Sequence, residues 1–442
     1  MNRTPWRMGA GLFVASLLVG GSARAQIPDQ KDAMIANIPV NYTEAKAQGY
    51  TLPDVLTAFD GTKITNAKMW MDKRRPELLE YYRREIYGRI PETAPKVTWQ
   101  VVSVDKEALE GKAIKKVLAG KMGSGPDAPA IDVTLYTPSD AKGPVPVLTA
   151  ITFNFGGGGA RRGPATAPTT GPGAQARAGR AGRGPAGPQR GTPAELMSRG
   201  YGYATINYAS IETDQSGRES PPNINIVRKL ALRPGQEKMN PDDWGTIAAW
   251  AWGISRVMDY YETDPAVDAK RIAITGTSRL GKTVTWAGAS DERIALVIAC
   301  CGGEGGAALA RRNYGETIAH LVEATRYPYQ FAGNYAKYGP DPSTNAVDSH
   351  CLVALMAPRP ILLSTGLTDG WSDPQGEFLS AVAATPVFKL LGKTGIQQPS
   401  YTAGSGEMVG GDLSFLMVNG GHGSTDWDLW LKFMDTHLHP TK

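Results

Sequence analysis

The run Gly276-Thr277-Ser278-Arg279-Leu280-Gly281-Lys282-Thr283 satisfies two chemical patterns at once. Read as G-x-x-x-x-G-K-[ST], it is a loop whose backbone N–H groups cradle a phosphate. Read as a strand-to-helix turn with a serine at its tip, it exposes a hydroxyl above a sheet for acyl transfer. The usual form of that second pattern, G-x-S-x-G, puts its closing glycine where this chain has Leu280, so pattern matching alone favours the phosphate loop. A third, inert reading has the glycines making a tight turn and nothing more.

A serine hydroxyl at neutral pH needs a general base, and histidine is the side chain whose pKa suits that task. The chain has five: His320, His350, His422, His437 and His439. His320 falls in a helical pattern, His350 just ahead of the apolar stretch 352–356, and His437 and His439 where a closing helix ends, an ordinary place for a cation. His422 stands apart, in the loop Gly420-Gly421-His422-Gly423 after the last apolar strand, and is the expected base. An acid to orient it should follow another strand, in the chain order Ser, Asp or Glu, His. Asp369, after the stretch 360–365, is the nearer candidate; Asp373 fits a helix cap, and Glu304 is a third possibility. An oxyanion would meet the backbone N–H of Arg279, the loop Asn154-Phe155-Gly156, and the Arg279 guanidinium.

Three observations turn the preference from phosphate loop to serine hydrolase. Residues 1–25 carry a secretory leader pattern, with Arg3 and Arg7, an apolar run from Gly9 to Gly20 and the Ala23-Arg24-Ala25 cleavage site, and outside the cell nucleoside triphosphate is scarce. The strand at 294–300 lacks an acidic end to help hold Mg²⁺. The remaining members of a triad stand in hydrolase order. The mature chain is expected to begin near Gln26, in the periplasm or secreted; the apolar run is shorter than the ~20 residues of a membrane span.

Apolar runs and helical patterns alternate through the elements that must position these residues. Strands are expected at 97–104, 130–136, 145–153, 203–207, 271–275, 294–300, 360–365 and 413–419. Helices are expected at 74–89, 242–262, 280–289 and 425–437, the second announced by Asn240-Pro241-Asp242. That alternation predicts an α/β fold, a mainly parallel sheet with helices on both faces in three layers. One domain is expected over 26–442, interrupted at about 156–191 by a Gly/Pro/Ala/Arg-rich stretch with no apolar period, read as a flexible insertion.

With 41% hydrophobic and 20% charged residues, the chain has globular composition. Its net charge of +5 is misleading: without the leader and the insertion, both free of acidic residues, 38 basic residues face 42 acidic ones. A basic groove for nucleic acid is thereby disfavoured. Cys300, Cys301 and Cys351 offer no metal-ligand spacing, and a Cys301–Cys351 bridge is one option in an oxidising compartment.

Together these residues resemble the glucuronoyl esterases, family fifteen of the carbohydrate esterases, within the α/β-hydrolase superfamily. The resemblance runs over Arg74-Arg75-Pro76-Glu77, Gly88-Arg89-Ile90-Pro91, Asp243-Trp244-Gly245, Ser278-Arg279-Leu280-Gly281-Lys282, Gly305-Gly306-Ala307-Ala308, Ala357-Pro358-Arg359-Pro360 and the stretch from Asp369 to Phe378. Its S-R-x-G-K element is the specific one and accounts for the late glycine at 281. It implies cleavage of 4-O-methyl-glucuronoyl esters joining glucuronoxylan to lignin alcohols, through an acyl-enzyme, with no cofactor or metal, by a monomer. Ser278 would attack, His422 take the proton, Asp369 orient His422 and Arg279 hold the oxyanion. Lys282, Glu316 and Trp371 fall where the family contacts the uronate. One departure stands out: where many members carry a glutamate as the acid, this chain has Cys301. Rival readings are an acetylxylan or other carbohydrate acetylesterase, a catalytically dead carbohydrate-binding relative and, more distantly, a phosphate-loop NTPase.

Overall fold

The computed structural model describes residues 31–153, 193–214, 224–402 and 406–438. The leader, the insertion at 156–191, the loop Asn154-Phe155-Gly156 and His439 lie outside the described residues. Ten strands form the main sheet: β1 (Val97–Ala108), β2 (Ala113–Met122), β3 (Ala130–Pro138), β4 (Val145–Thr152), β5 (Gly202–Asn207), β6 (Val267–Thr277), β7 (Leu296–Cys300), β8 (Ile361–Gly366), β9 (Met408–Gly410) and β10 (Leu413–Val418). Their order across the sheet is β9-β10-β8-β7-β6-β4-β5-β3-β2-β1. From β5 through β4, β6, β7 and β8 to β10 the pairing is parallel, and at both margins it turns antiparallel.

The period-two alternation of the central strands builds both cores. Ile272 and Ile274, Val297 and Ala299, Ile361 and Leu363, and Phe415 and Met417 share one core, while Ala273, Leu296, Ile298, Leu362 and Leu416 share the other. Five helices frame them: α1 (Arg75–Tyr82), α2 (Thr246–Tyr261), α3 (Arg279–Ser290), α4 (Pro374–Leu390) and α5 (Trp427–Leu438). The first core takes Trp250 and Ile254 of α2, Leu280 and Val284 of α3 and Phe378 and Phe388 of α4. The second takes Trp430, Leu431, Phe433 and Met434 of α5. This is the expected three-layer arrangement, and each expected strand is present.

Several details depart from expectation. Helix α2 starts at Thr246 rather than 242, because Asp243 is buried as the acceptor of Arg233 and of the Asn240 N–H, which holds that stretch in a turn. Strands β2 and β9 and the long helix α4 carried no expectation. Helix α1 is continued by wider turns, Trp70–Arg74 before it and Arg83–Tyr87 after it. All three cysteines are free and buried, so the Cys301–Cys351 bridge is absent: Cys351 lies against His350 and Cys301 against Cys300.

Candidate active site

Parallel pairing brings the carboxyl ends of β6, β7, β8 and β10 to one edge. Thr277 and Ser364 both stand opposite Cys300, and Gly366 stands opposite Val418. The next residues along the chain are therefore neighbours whatever their sequence separation: Ser278 after β6, Cys301 after β7, Asp369 after β8 and His422 after β10.

Ser278 sits between β6 and α3 with φ 62° and ψ −127°, a conformation that costs a non-glycine residue about 1–3 kcal/mol. Two bonds hold it there: its N–H donates to Cys300 O at 2.9 Å, and its carbonyl accepts the first helical bond, from Lys282 N–H, at 3.0 Å. The glycine spacing that imitates a phosphate loop follows from the same turn. A Cβ at Gly281 would lie 2.5 Å from Cys300 O, and one at Gly276 2.5 Å from Leu280 O, so the helix can press on β7 and close the turn only with glycine at both positions. Arg279 N–H opens α3, among the donors that no helical carbonyl satisfies.

Two loops lock together beside this turn. Leu367 and Thr368 donate their N–H groups to Val418 O at 2.8 Å and Gly420 O at 2.9 Å. That brings His422 Nδ1 to 2.7 Å from Asp369 Oδ2, with Ser372 Oγ 3.4 Å from the same nitrogen. A Cβ built on Gly423 would touch Thr277 at 3.5 Å, which places the histidine loop against the serine turn. Asp369 is buried and the His422 side chain is 47% exposed. The hydrogen bond that His422 donates to Asp369 raises the histidine's pKa above the usual value, outweighing burial. Burial pushes the Asp369 carboxyl upward, but the bond and charge of His422, with help from Ser372 and Cys301, hold it below the usual carboxylate range. With Nδ1 engaged, Nε2 is the ring atom left for proton transfer.

The alternative acids are committed elsewhere. Asp373 caps α4, accepting from Gly376 N–H at 2.9 Å, and is ion-paired with buried Arg312 at 2.8 Å. Glu304 is buried and accepts from Tyr335 Oη at 3.1 Å and Gly305 N–H at 3.0 Å; burial lifts its pKa well above the usual range. Cys301 does stand beside the Asp369–His422 pair: its Sγ lies with the Asp369 and His422 ligand atoms in a group spanning at most 4.8 Å, and accepts from Gly423 N–H at 3.3 Å. The neighbouring Cys300 sulfur, then burial, keep its thiol protonated. Of the other described histidines, buried His320 caps its own short helix with Thr317, His350 meets Pro53 O at 2.9 Å, and His437 packs edge-on against Phe433.

The expected sugar-contacting residues also gather. Buried Lys282 Nζ donates to Gly302 O at 2.9 Å and lies 3.4 Å from Glu316 Oε2. Glu316 N–H in turn donates to Trp371 O at 2.9 Å, which ties the two backbones together. Sequence reasoning missed four residues here. Arg326 pairs with Glu316 at 3.3 Å and lies over the rings of Trp371 at 5.2 Å and Tyr327 at 4.8 Å. The Arg279 guanidinium lies over Tyr327 at 5.1 Å and is ion-paired with Asp214, which also takes the Tyr329 hydroxyl. Asp214 and Arg279 are 65 positions apart, and no local pattern signals such a pair.

A mainly parallel sheet with a strained serine at one strand end, and a histidine–aspartate pair on neighbouring strand ends, defines an esterase architecture of the α/β-hydrolase class. Comparison narrows the class. The family model of fungal glucuronyl esterases matches residues 239–392. A carbohydrate esterase from an unknown prokaryotic organism is 37% identical over 412 residues, 90% of this chain and 92% of that protein. The solved glucuronoyl esterase of Solibacter usitatus is 39% identical, with a TM-score of 0.76, covering 89% of this chain and 99% of its own. A promiscuous family-15 carbohydrate esterase from a marine bacterial metagenome is 34% identical, with a TM-score of 0.76, covering 90% of this chain and 100% of its own. The chain belongs to carbohydrate esterase family fifteen, the glucuronoyl esterases, and is a carboxylic ester hydrolase.

Proposed function

We propose that this protein hydrolyses 4-O-methyl-glucuronoyl esters of glucuronoxylan, including those to lignin alcohols, with Ser278 as nucleophile, His422 as base and Asp369 as the orienting acid. One observation carries the reading: Ser278 is held at φ 62° on a turn that packs against the loop in which His422 is bonded to Asp369.

Ser278 Oγ attacks the uronoyl carbonyl as His422 Nε2 takes its proton, and the charge formed on the carbonyl oxygen meets Arg279 N–H and guanidinium. Collapse releases the alcohol, which receives the proton from His422. Water activated at the same nitrogen then hydrolyses the acyl-enzyme. Asp369 stabilises the imidazolium without becoming protonated. Lys282 and Glu316 would hold the uronate hydroxyls and Trp371 would cover the ring; their mutual contacts support a preformed polar wall beside the serine. The same reading takes residues 1–25 as a cleaved leader of an exported monomer and 26–442 as one catalytic domain. No described helix is long and apolar enough to cross a membrane.

Hydrolysis of benzyl glucuronate tests this, with Ser278→Ala expected to lower kcat by roughly 10⁶-fold. Turnover surviving that substitution would sink the mechanism. Because a relative of 34% identity is described as promiscuous, acetylated xylan belongs in the same assay; a preference for acetyl over uronate esters would make the protein an acetylesterase.

A further inference from the structure

Three metal-ligating atoms of different chemistry converge where the triad is expected. A sulfur from Cys301, a carboxylate oxygen from Asp369 and an imidazole nitrogen from His422 all lie within 4.8 Å of one another. Each stands just past the end of a different parallel strand, so the backbone holds all three. Tetrahedral zinc, with bonds of about 2.3 Å to sulfur and about 2.0–2.2 Å to nitrogen and oxygen, needs its ligand atoms roughly 3.3–3.6 Å apart. The nitrogen–oxygen edge, now 2.7 Å, would open by less than about 1 Å, and the sulfur, at most 4.8 Å away, would approach by up to about 1.5 Å, within reach of side-chain rotations. Thiolate and carboxylate together balance the charge of a divalent ion. The Gly423 N–H that already donates to Cys301 Sγ at 3.3 Å is the kind of bond that supports a metal-bound thiolate. His422, 47% exposed, leaves one side open for the ion to arrive and for water as the fourth ligand.

We propose that Cys301, His422 and Asp369 form a binding site for a thiophilic divalent cation, zinc or cadmium rather than magnesium or calcium, and that filling it switches the esterase off. The inhibitory part rests on the triad reading given above. The protons balance as follows: the Cys301 thiol loses one to solvent as the metal–sulfur bond forms, and the imidazole proton leaves Nδ1, now a metal ligand, while Nε2 takes one up. Nε2 then carries hydrogen and cannot accept the Ser278 proton, and Asp369 no longer orients the ring. Binding therefore blocks acyl transfer. A glutamate in place of Cys301 would remove the soft ligand and with it the preference for zinc over magnesium.

The test uses the full mature chain freed of metal by a chelator. Benzyl glucuronate hydrolysis is titrated with Zn²⁺, Cd²⁺ and Mg²⁺, and Co²⁺ binding is followed by its thiolate-to-cobalt charge-transfer absorption. Wild type should be inhibited by zinc and cadmium but not magnesium, release one proton per zinc bound in calorimetry across two buffers, and show the cobalt band. Cys301→Ser should lose the band and need at least about tenfold more zinc for half-inhibition of its own activity. Should that variant fail to fold, the wild-type cobalt band and proton count still decide. A missing band, or equal zinc sensitivity in wild type and Cys301→Ser, overturns the site. A cobalt band in a chain with no uronate esterase activity refutes the ester reading and leaves the metal site standing.

Discussion

At the scale of the residue, the proton chemistry is set by what surrounds each titrating group. The bond donated to Asp369 lifts His422 above its usual pKa of 6.5. The base works only when neutral, so the acidic limb of kcat/KM against pH should lie above that value. Asp369→Asn removes the charge that favours the imidazolium and the acceptor that fixes the tautomer. Activity should fall by roughly 10⁴-fold, and the surviving acidic limb should move down toward 6.5, measured from the pH profiles of kcat/KM. An unmoved limb would mean that another carboxylate orients His422. Cys301 cannot be that group, since a protonated thiol offers no charge to balance an imidazolium.

At the scale of the element, the turn from β6 into α3 converts a glycine spacing into a strained position for Ser278, the proposed nucleophile. Cys300 O receives the Ser278 N–H and is also the atom that a side chain at Gly281 would strike. Gly281→Ala should therefore do two things at once. Chemical denaturation should show a loss of about 1–3 kcal/mol from overpacking, and esterase activity should fall more than that loss of folded protein explains, because the displaced carbonyl carries Ser278 with it. Activity that merely tracked the folded fraction would separate the glycine from the site. Helix α4 contributes differently. It starts from the Asp373 cap and buries Glu377 completely, with Oε1 accepting from Gly303 N–H at 2.7 Å and Oε2 without a hydrogen-bond partner among the described residues.

At the scale of the whole molecule, that buried Glu377 links stability to pH. Burial raises its pKa far above the unfolded value of 4.5, so the folded chain keeps the proton that the unfolded chain gives up. Its contribution to stability is full below 4.5 and declines as pH rises toward the folded pKa. Glu377→Gln should flatten this slope, and thermal unfolding at about pH 5 and about pH 8 should show the variant gaining on wild type at the higher value. An unchanged difference between the two pH values would assign the slope to other groups, Glu304 among them. Much of the architecture was legible in the chain: the alternating apolar runs marked eight of the ten strands and a mainly parallel sheet, whose period of two divides Ile272 from Ala273 and Leu296 from Val297 between the two cores. That Ser278, Asp369 and His422 come to one edge could be expected from the chain because parallel strands collect their following loops there, so chain order constrains which residues can meet. Strand β2 escaped notice because its Lys-Lys centre hides the alternation, and α4 because its even apolar covering shows no single face. What only the tertiary structure decided are the pairings without local spacing: Asp214 with Arg279, Arg326 with Glu316 and Trp371, Cys301 beside Asp369 and His422, and Glu304 with Tyr335. A sequence pattern records periodicity along one element, whereas these contacts depend on which side chains from distant elements fill the same few ångströms.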